Sequence, residues 1–226
     1  MNSLTFLDVD PAMLKTEERI IVAAIKVFAE YPLHTATIRM IAQEAQINFS
    51  SITYHFKTKE NLYQEVIRRF LDHVRSIISL TESSPQPLTP ESAREELVGI
   101  IERMTDWMCG GSHVATLAKI ILREHFSPSS VYEMLYKDFF SKIITRLTAL
   151  VRCLISKPGD TSPEETNRER EATLLAFSMI GQTLVFRLQR ELLVRHLGFI
   201  GFSTEEIAEL KDLLVRNILR QLEVPL

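Results

Sequence analysis

The chain has 226 residues, is 46% hydrophobic and carries a formal net charge of -3. That balance excludes a protein that coats nucleic acid indiscriminately, but not a local basic surface, which is what decides sequence-specific binding. Only 7 glycines and no sustained apolar–polar alternation argue for an all-helical chain with ample core. Cys109 and Cys153 lack metal-like spacing and read as reduced thiols. The stretch MNSLTFLDVDPAML has no basic region followed by a long apolar core, so no signal peptide is read. The run TLLAFSMIGQTLVF is short and interrupted by Gln182, so no membrane span is expected and the protein is placed in the cytoplasm.

Residues 1–14 read as a flexible arm whose Asp8 and Asp10, without an arginine, suit a DNA minor groove poorly. A first helix over Thr16–Glu30 places Ile20, Ala23, Ala24, Val27 and Phe28 on one face, and Pro32 stops it.

Next comes Thr37–Phe56, TIRMIAQEAQINFSSITYHF, which reads as helix, tight turn and short helix. Thr37 caps the first helix, whose Ile38, Ile41, Ala42 and Ala45 form an apolar stripe; Asn48 caps the second, anchored from below by Ile52 and Phe56. Ser50, Ser51, Thr53, Tyr54 and His55 are left facing outward, a surface of hydroxyls and an imidazole suited to a major groove. Arg39, Tyr54, His55, Lys57 and Lys59 are expected to position phosphates, with Thr37 mainly a cap that also touches one. Ser50, Ser51 and Thr53 are expected at base edges. Phe49 either presses on a thymine methyl or turns inward as extra core.

The patterns T-x-R-x-I-A-x-x-A, starting at Thr37, and Y-H-F-K-x-K-E-x-L-Y, starting at Tyr54, lie within Glu17–Tyr63, about a fifth of the chain. This segment resembles the DNA-binding domain of TetR-type transcriptional regulators. Pro32, Gln46 and Phe49 depart from the family, which has glycine at the first two positions and a small or basic residue at the third. Gln46 therefore implies a slightly different turn.

A fourth helix from near Lys59 towards Leu80 carries Leu62, Val66, Phe70, Val74 and Ile77 on one side. At 1.5 Å per residue it spans about 30 Å and reads as a lever. TESSPQPLTPES is a loop. A helix over Pro90–Cys109 ends at Gly110-Gly111, and Ser112 caps another through His125. Ser127-Pro128 opens a long helix with Val131, Leu135, Phe139, Ile143, Leu147, Leu150 and Leu154 in a stripe. After the loop SKPGDTSP, a capping box at Ser162–Glu165 starts a helix to His196; LGFIGF connects it to a second box at Ser203–Glu206. The last helix carries Ile207, Leu210, Leu214 and Ile218. Nine helices result: a three-helix helix-turn-helix domain over 15–61 and a six-helix domain over 62–226.

The last two helices are apolar on more than one side, and the surplus is expected to meet the same pair from a second copy in a four-helix bundle about a two-fold axis, the alternative being that these faces are core of a monomer. Such a homodimer would place two recognition helices on successive major grooves of a palindromic duplex operator. ILREHFSPSSVYEML and GQTLVFRLQRELLVRHLGF are similar to the C-terminal domain of the CecR-type branch of TetR regulators. That likeness implies effector sensing and dimerisation, with control of efflux or detoxification genes. Arg123, His125 and Arg187 are the polar candidates for a small-molecule effector pocket, lined by Met104, Trp107, Met108, Phe126 and Met134. The alternative for the polar set is an internal pair such as Glu124–Arg187.

No phosphate-binding glycine loop, nucleophile elbow or H-E-x-x-H is present, and the 6 histidines are scattered. No enzyme, cofactor or metal is expected. The leading expectation is a ligand-responsive repressor; the other is an interaction protein of the same fold whose partner protein sets its activity.

Overall fold

The computed structural model describes residues 13–78, 88–110, 112–156, 165–198 and 202–223, and among these every regular element is helical. The arm before residue 13, the loops at 79–87 and 157–164 with the Ser162 cap, Gly111 and the connection at 199–201 lie outside the described residues. The helices are α1 (Thr16–Glu30), α2 (Ile38–Ala45), α3 (Phe49–Phe56), α4 (Lys59–Ile78), α5 (Pro90–Cys109) and α6 (Ser112–Phe126). They continue with α7 (Tyr132–Leu135), a π-helical turn (Tyr136–Phe140), α8 (Ser141–Ile155), α9 (Glu165–Leu188), α10 (Arg190–Leu197) and α11 (Thr204–Gln221).

By their packing the helices form two compact units, the first with α1–α4, α6 and α7, the second with α5 and α8–α11. In the first unit α2, α4 and α6 all pack on α1. The reason lies in α1 itself, where Ile20–Ile25 and Val27–Ala29 are all buried. A helix apolar around most of its circumference needs partners on several sides, so the 15–61 segment shares its unit with helices from beyond position 61.

The expected single helix from Ser127 differs at both ends of its first turns. It begins at Tyr132, because the amide and hydroxyl of Ser129 bond the Glu124 carboxylate instead of opening a helix. It then widens into the π-helical turn. Val131, Leu135, Phe139, Ile143 and Leu147 recur every four residues and are all buried. In an α-helix each four-residue step overshoots one turn by about 40°, which would rotate such a stripe off its face. A π turn takes up the surplus.

In the second unit α5 packs on α8, α9 and α11, and α8 packs on α9. Thr89 and Ser92 cap α5 reciprocally, and Ser203 with Glu206 does the same for α11. Arg146 reaches the Glu96 carboxylate with two nitrogens, which raises its already high pKa through that hydrogen bond. The helix expected to run to His196 breaks at Gln189, whose φ of -100° and ψ of 18° are not helical, and α10 starts anew with Arg190 over the Phe202 ring at 5.5 Å.

Gln46 takes the left-handed conformation, φ 53° and ψ 47°. The turn is thus the one a glycine would make, reached by a residue with a Cβ. Arg19 supports it by donating to the Ala45 carbonyl at 2.8 Å. Gln46→Gly removes the side-chain penalty of the left-handed region and should stabilise the chain by about 1 kcal/mol, raising the unfolding midpoint by about 3 °C. A thermal melt of the variant against the wild-type chain checks this, and an unchanged or lower midpoint would overturn the strain assignment.

Candidate nucleic-acid interface

The segment α2–turn–α3 is built as its caps and stripes require. The Thr37 hydroxyl accepts from the Met40 amide at 3.2 Å and the Asn48 side chain from the Ser50 amide at 3.1 Å, so each helix starts with an orphan donor satisfied. Ile41, Ala42 and Ala45 are buried under α2, and Ile52 is completely buried under α3. Fixing that underside fixes which residues of α3 face outward.

Those residues are Phe49, Ser50, Thr53, Tyr54 and His55, all exposed, with Ser51 half-buried. Phe49 is 58% exposed, so its ring does not turn inward as core. Tyr54 is 84% exposed and meets His55 edge-on, with ring centroids 5.3 Å apart. The Thr53 hydroxyl leans back on the Phe49 carbonyl at 3.4 Å and remains free to accept.

Arg39 and Lys57 are exposed cations beside this face. Glu44 is neutralised by Lys26 at 2.8 Å. Lys59 donates to the Ala36 carbonyl at 2.8 Å, which ties the start of α4 to the residue before the Thr37 cap. An ammonium has three donors, so this bond braces the helices and leaves two donors for an anion.

Lys57 carries a feature the pattern of residue types does not announce. Its φ of 65° and ψ of -57°, with the Thr58 amide on the Phe56 carbonyl at 2.8 Å, make a γ-turn of the strained, positive-φ kind. The turn ends α3 and, one residue later, the Thr58 hydroxyl accepts from the Asn61 amide and starts α4. Strained non-glycine backbone tends to concentrate at functional sites. The basic side chain at the end of α3 stands on such a turn.

The expected effector residues divide between the units. Met104, Trp107 and Met108 are buried in the second unit, where Arg187 is half-buried with its pKa lowered by burial and by Arg190. Cys109 beside them is a free thiol pushed up to about 11 by burial, offset in part by Arg187 and Arg190, so it stays protonated at neutral pH. In the first unit Phe126 is 80% exposed, which corrects its expected place in an apolar lining, and His125 is exposed as well. Met134 is half-buried. Arg123 donates to the carbonyls of Phe28 at 2.6 Å and Ala29 at 2.8 Å. Glu124 is buried and accepts from Tyr63 and Ser129, which replace its expected partner Arg187. A sequence signal for the Arg123 contact exists in hindsight: α1 has no basic residue in its last turn, and helix C-termini favour one.

Among the described residues no group of three His, Cys, Asp or Glu is placed to hold a metal, and no helix is long and apolar enough to cross a membrane.

Residues 20–66 match the family described as bacterial regulatory proteins, tetR family, and residues 93–223 match the C-terminal domain of the HTH-type transcriptional dual regulator CecR. CecR of Shigella flexneri is 27% identical over 209 residues, covering 87% of this chain and 88% of the relative. Among solved structures, SmeT, the repressor of the Stenotrophomonas maltophilia multidrug efflux pump SmeDEF, superposes with a TM-score of 0.60 at 17% identity over 94% of this chain and 92% of its own. FadR of Bacillus subtilis in complex with stearoyl-CoA superposes with a TM-score of 0.58 at 17% identity, covering 88% and 96%. With a family match over residues 93–223 and another over residues 20–66, the chain belongs to the TetR family of transcriptional regulators, with a C-terminal domain of the CecR type.

Proposed function

We propose that this regulator is a ligand-responsive, sequence-specific repressor of efflux or detoxification genes that binds a palindromic operator as a homodimer. The observation that carries the DNA half of this reading is α3, which presents hydroxyls, Tyr54 and Phe49 on a firmly seated apolar underside, with Arg39, Lys57 and Lys59 around it. Ser50, Ser51 and Thr53 read base edges, Phe49 meets a thymine methyl, and the cations with Tyr54 and His55 hold phosphates. The efflux assignment is supported by the fold likeness to SmeT, and the small-molecule effector by the likeness to FadR with its bound stearoyl-CoA. In the second unit Met104, Trp107 and Met108 with Arg187 contribute to the effector site, and the effector lowers operator affinity by a coupling free energy.

The dimer is supported by α9. Leu174, Ser178, Gly181, Val185 and Leu188 are all exposed and alternate at spacings of four and three, a coiled-coil seam with no partner among the described residues of this chain. Phe177, 55% exposed, widens it. The small residues at Ser178 and Gly181 leave a notch in which a second α9 can approach closely. A Cβ at Gly181 would meet nothing of its own chain within 4 Å. Gly181→Arg should therefore leave the fold intact and turn the dimer into a monomer in sedimentation velocity; a variant that still sediments as a dimer would place the interface elsewhere.

The DNA reading is tested on the promoter region beside the protein's own gene, with affinity followed across salt concentration. The wild-type chain should show a steep log–log slope, and Lys57→Ala should reduce its magnitude by about one, because one phosphate is no longer neutralised. A wild-type slope near zero would sink the phosphate assignment altogether.

A further inference from the structure

Arg123 and Glu124 lie in the last turn of α6, away in sequence from the reading surface, yet their side chains reach two helices of the reader. Arg123 donates through both terminal nitrogens to the carbonyls of Phe28 and Ala29, in the last turn of α1. These carbonyls are among the orphans of a helix C-terminus, where a cation is also favoured by the dipole. Glu124 is 2% exposed, and its carboxylate accepts from the Tyr63 hydroxyl at 2.7 Å and from the Ser129 amide and hydroxyl at 2.9 and 2.8 Å. Tyr63 is itself buried, with its ring edge-on to Phe28 at 4.8 Å. Burial and the Glu124 bond push its pKa up, so the hydroxyl keeps its proton and remains a donor. Phe28 thus receives Arg123 on its carbonyl and Tyr63 on its ring.

The placement of these anchors matters. Tyr63 lies in the second turn of α4, seven residues past Phe56, the last residue of the recognition helix. Its position is handed back to α3 by the strained turn at Lys57 and by the Lys59 bond to the Ala36 carbonyl. At the other end of α1, Arg19 holds the Ala45 carbonyl at the turn between α2 and α3. Clamping the C-terminus of α1 and the start of α4 therefore restrains α3 from both of its neighbours.

We propose that Arg123 and Glu124 are positioning residues for operator binding: through the α1 carbonyls and Tyr63 they set the pose of the recognition helix without touching DNA. The proposal rests on the DNA-binding reading above and adds to it a site of control outside the reading face. A buried carboxylate with three donors and a bidentate arginine on orphan carbonyls are discrete arrangements, so their removal changes pose and not merely local packing.

The test uses the full chain and a duplex that the wild-type chain selects from a random pool, with all binding measured well below the unfolding midpoint. Tyr63→Phe is the deciding variant because it keeps the ring against Phe28 and removes only the hydroxyl. It should bind several-fold more weakly, by the fraction of chains that no longer hold the binding-competent pose, with the salt slope unchanged. Glu124→Gln should also bind more weakly, and the double variant should fall no further than the worse single one. Arg123→Met should lose affinity, and Arg123→Lys should regain part of it. A folded Tyr63→Phe variant that binds within about twofold of wild type overturns the proposal. So does a salt slope reduced as in Lys57→Ala, which would mean direct phosphate contact. Failure of the wild-type chain to select any sequence would instead strike at the DNA-binding reading itself.

Discussion

The DNA-reading unit depends on α1 having almost no face to spare. With Ile20–Ile25 and Val27–Ala29 buried, α1 is the common surface for α2, α4 and α6. Ile20, Ile21 and Phe28 are among the largest fully buried side chains. A closely packed interior resists small displacements and shifts between discrete arrangements. Any helix that moves on α1 therefore disturbs the frame in which α3 is held, even though α3 itself is short and mostly exposed.

Polar contacts then decide how that frame is pinned. Arg19 and Arg123 attach at opposite ends of α1, each to main-chain carbonyls that a helix end or turn leaves unsatisfied. Carbonyls at helix ends are fixed by the backbone, so an arginine that bonds them locks orientation more firmly than a surface ion pair between two flexible side chains. The exposed pair Lys26–Glu44 also bridges α1 and α2, but both side chains are about half exposed and its contribution is correspondingly small.

Much of this was legible in local sequence. The caps at Thr37, Asn48 and Ser203, the apolar underside of α2 and α3, and the limits of α1 and α5 follow from patterns within a few residues. The π turn was not expected, although the four-residue recurrence from Val131 to Leu147 is one that a straight α-helix cannot keep on one face. What local patterns did not carry were contacts across long separations: Arg123 finds Phe28 and Ala29, and Glu124 finds Tyr63, only after folding. The likeness to a family likewise pointed to a different turn at Gln46, whereas the left-handed conformation is kept and Gln46 bears its strain.

The two features at either side of the recognition helix show why that strain is tolerable. Gln46 precedes α3 and Lys57 follows it, and both are non-glycine residues at positive φ. Each such position costs on the order of 1–3 kcal/mol, so an isolated α3 would relax. It does not, because Arg19 holds the turn before it, while Lys59 and Tyr63 hold the helix after it. The pose of α3 is therefore set by its neighbours and not by its own length. A helix held this way presents Phe49 and Tyr54 outward in a pose that a change at α1 or α4 alone would alter. The pose of α3 can then change with no alteration of its own exposed face.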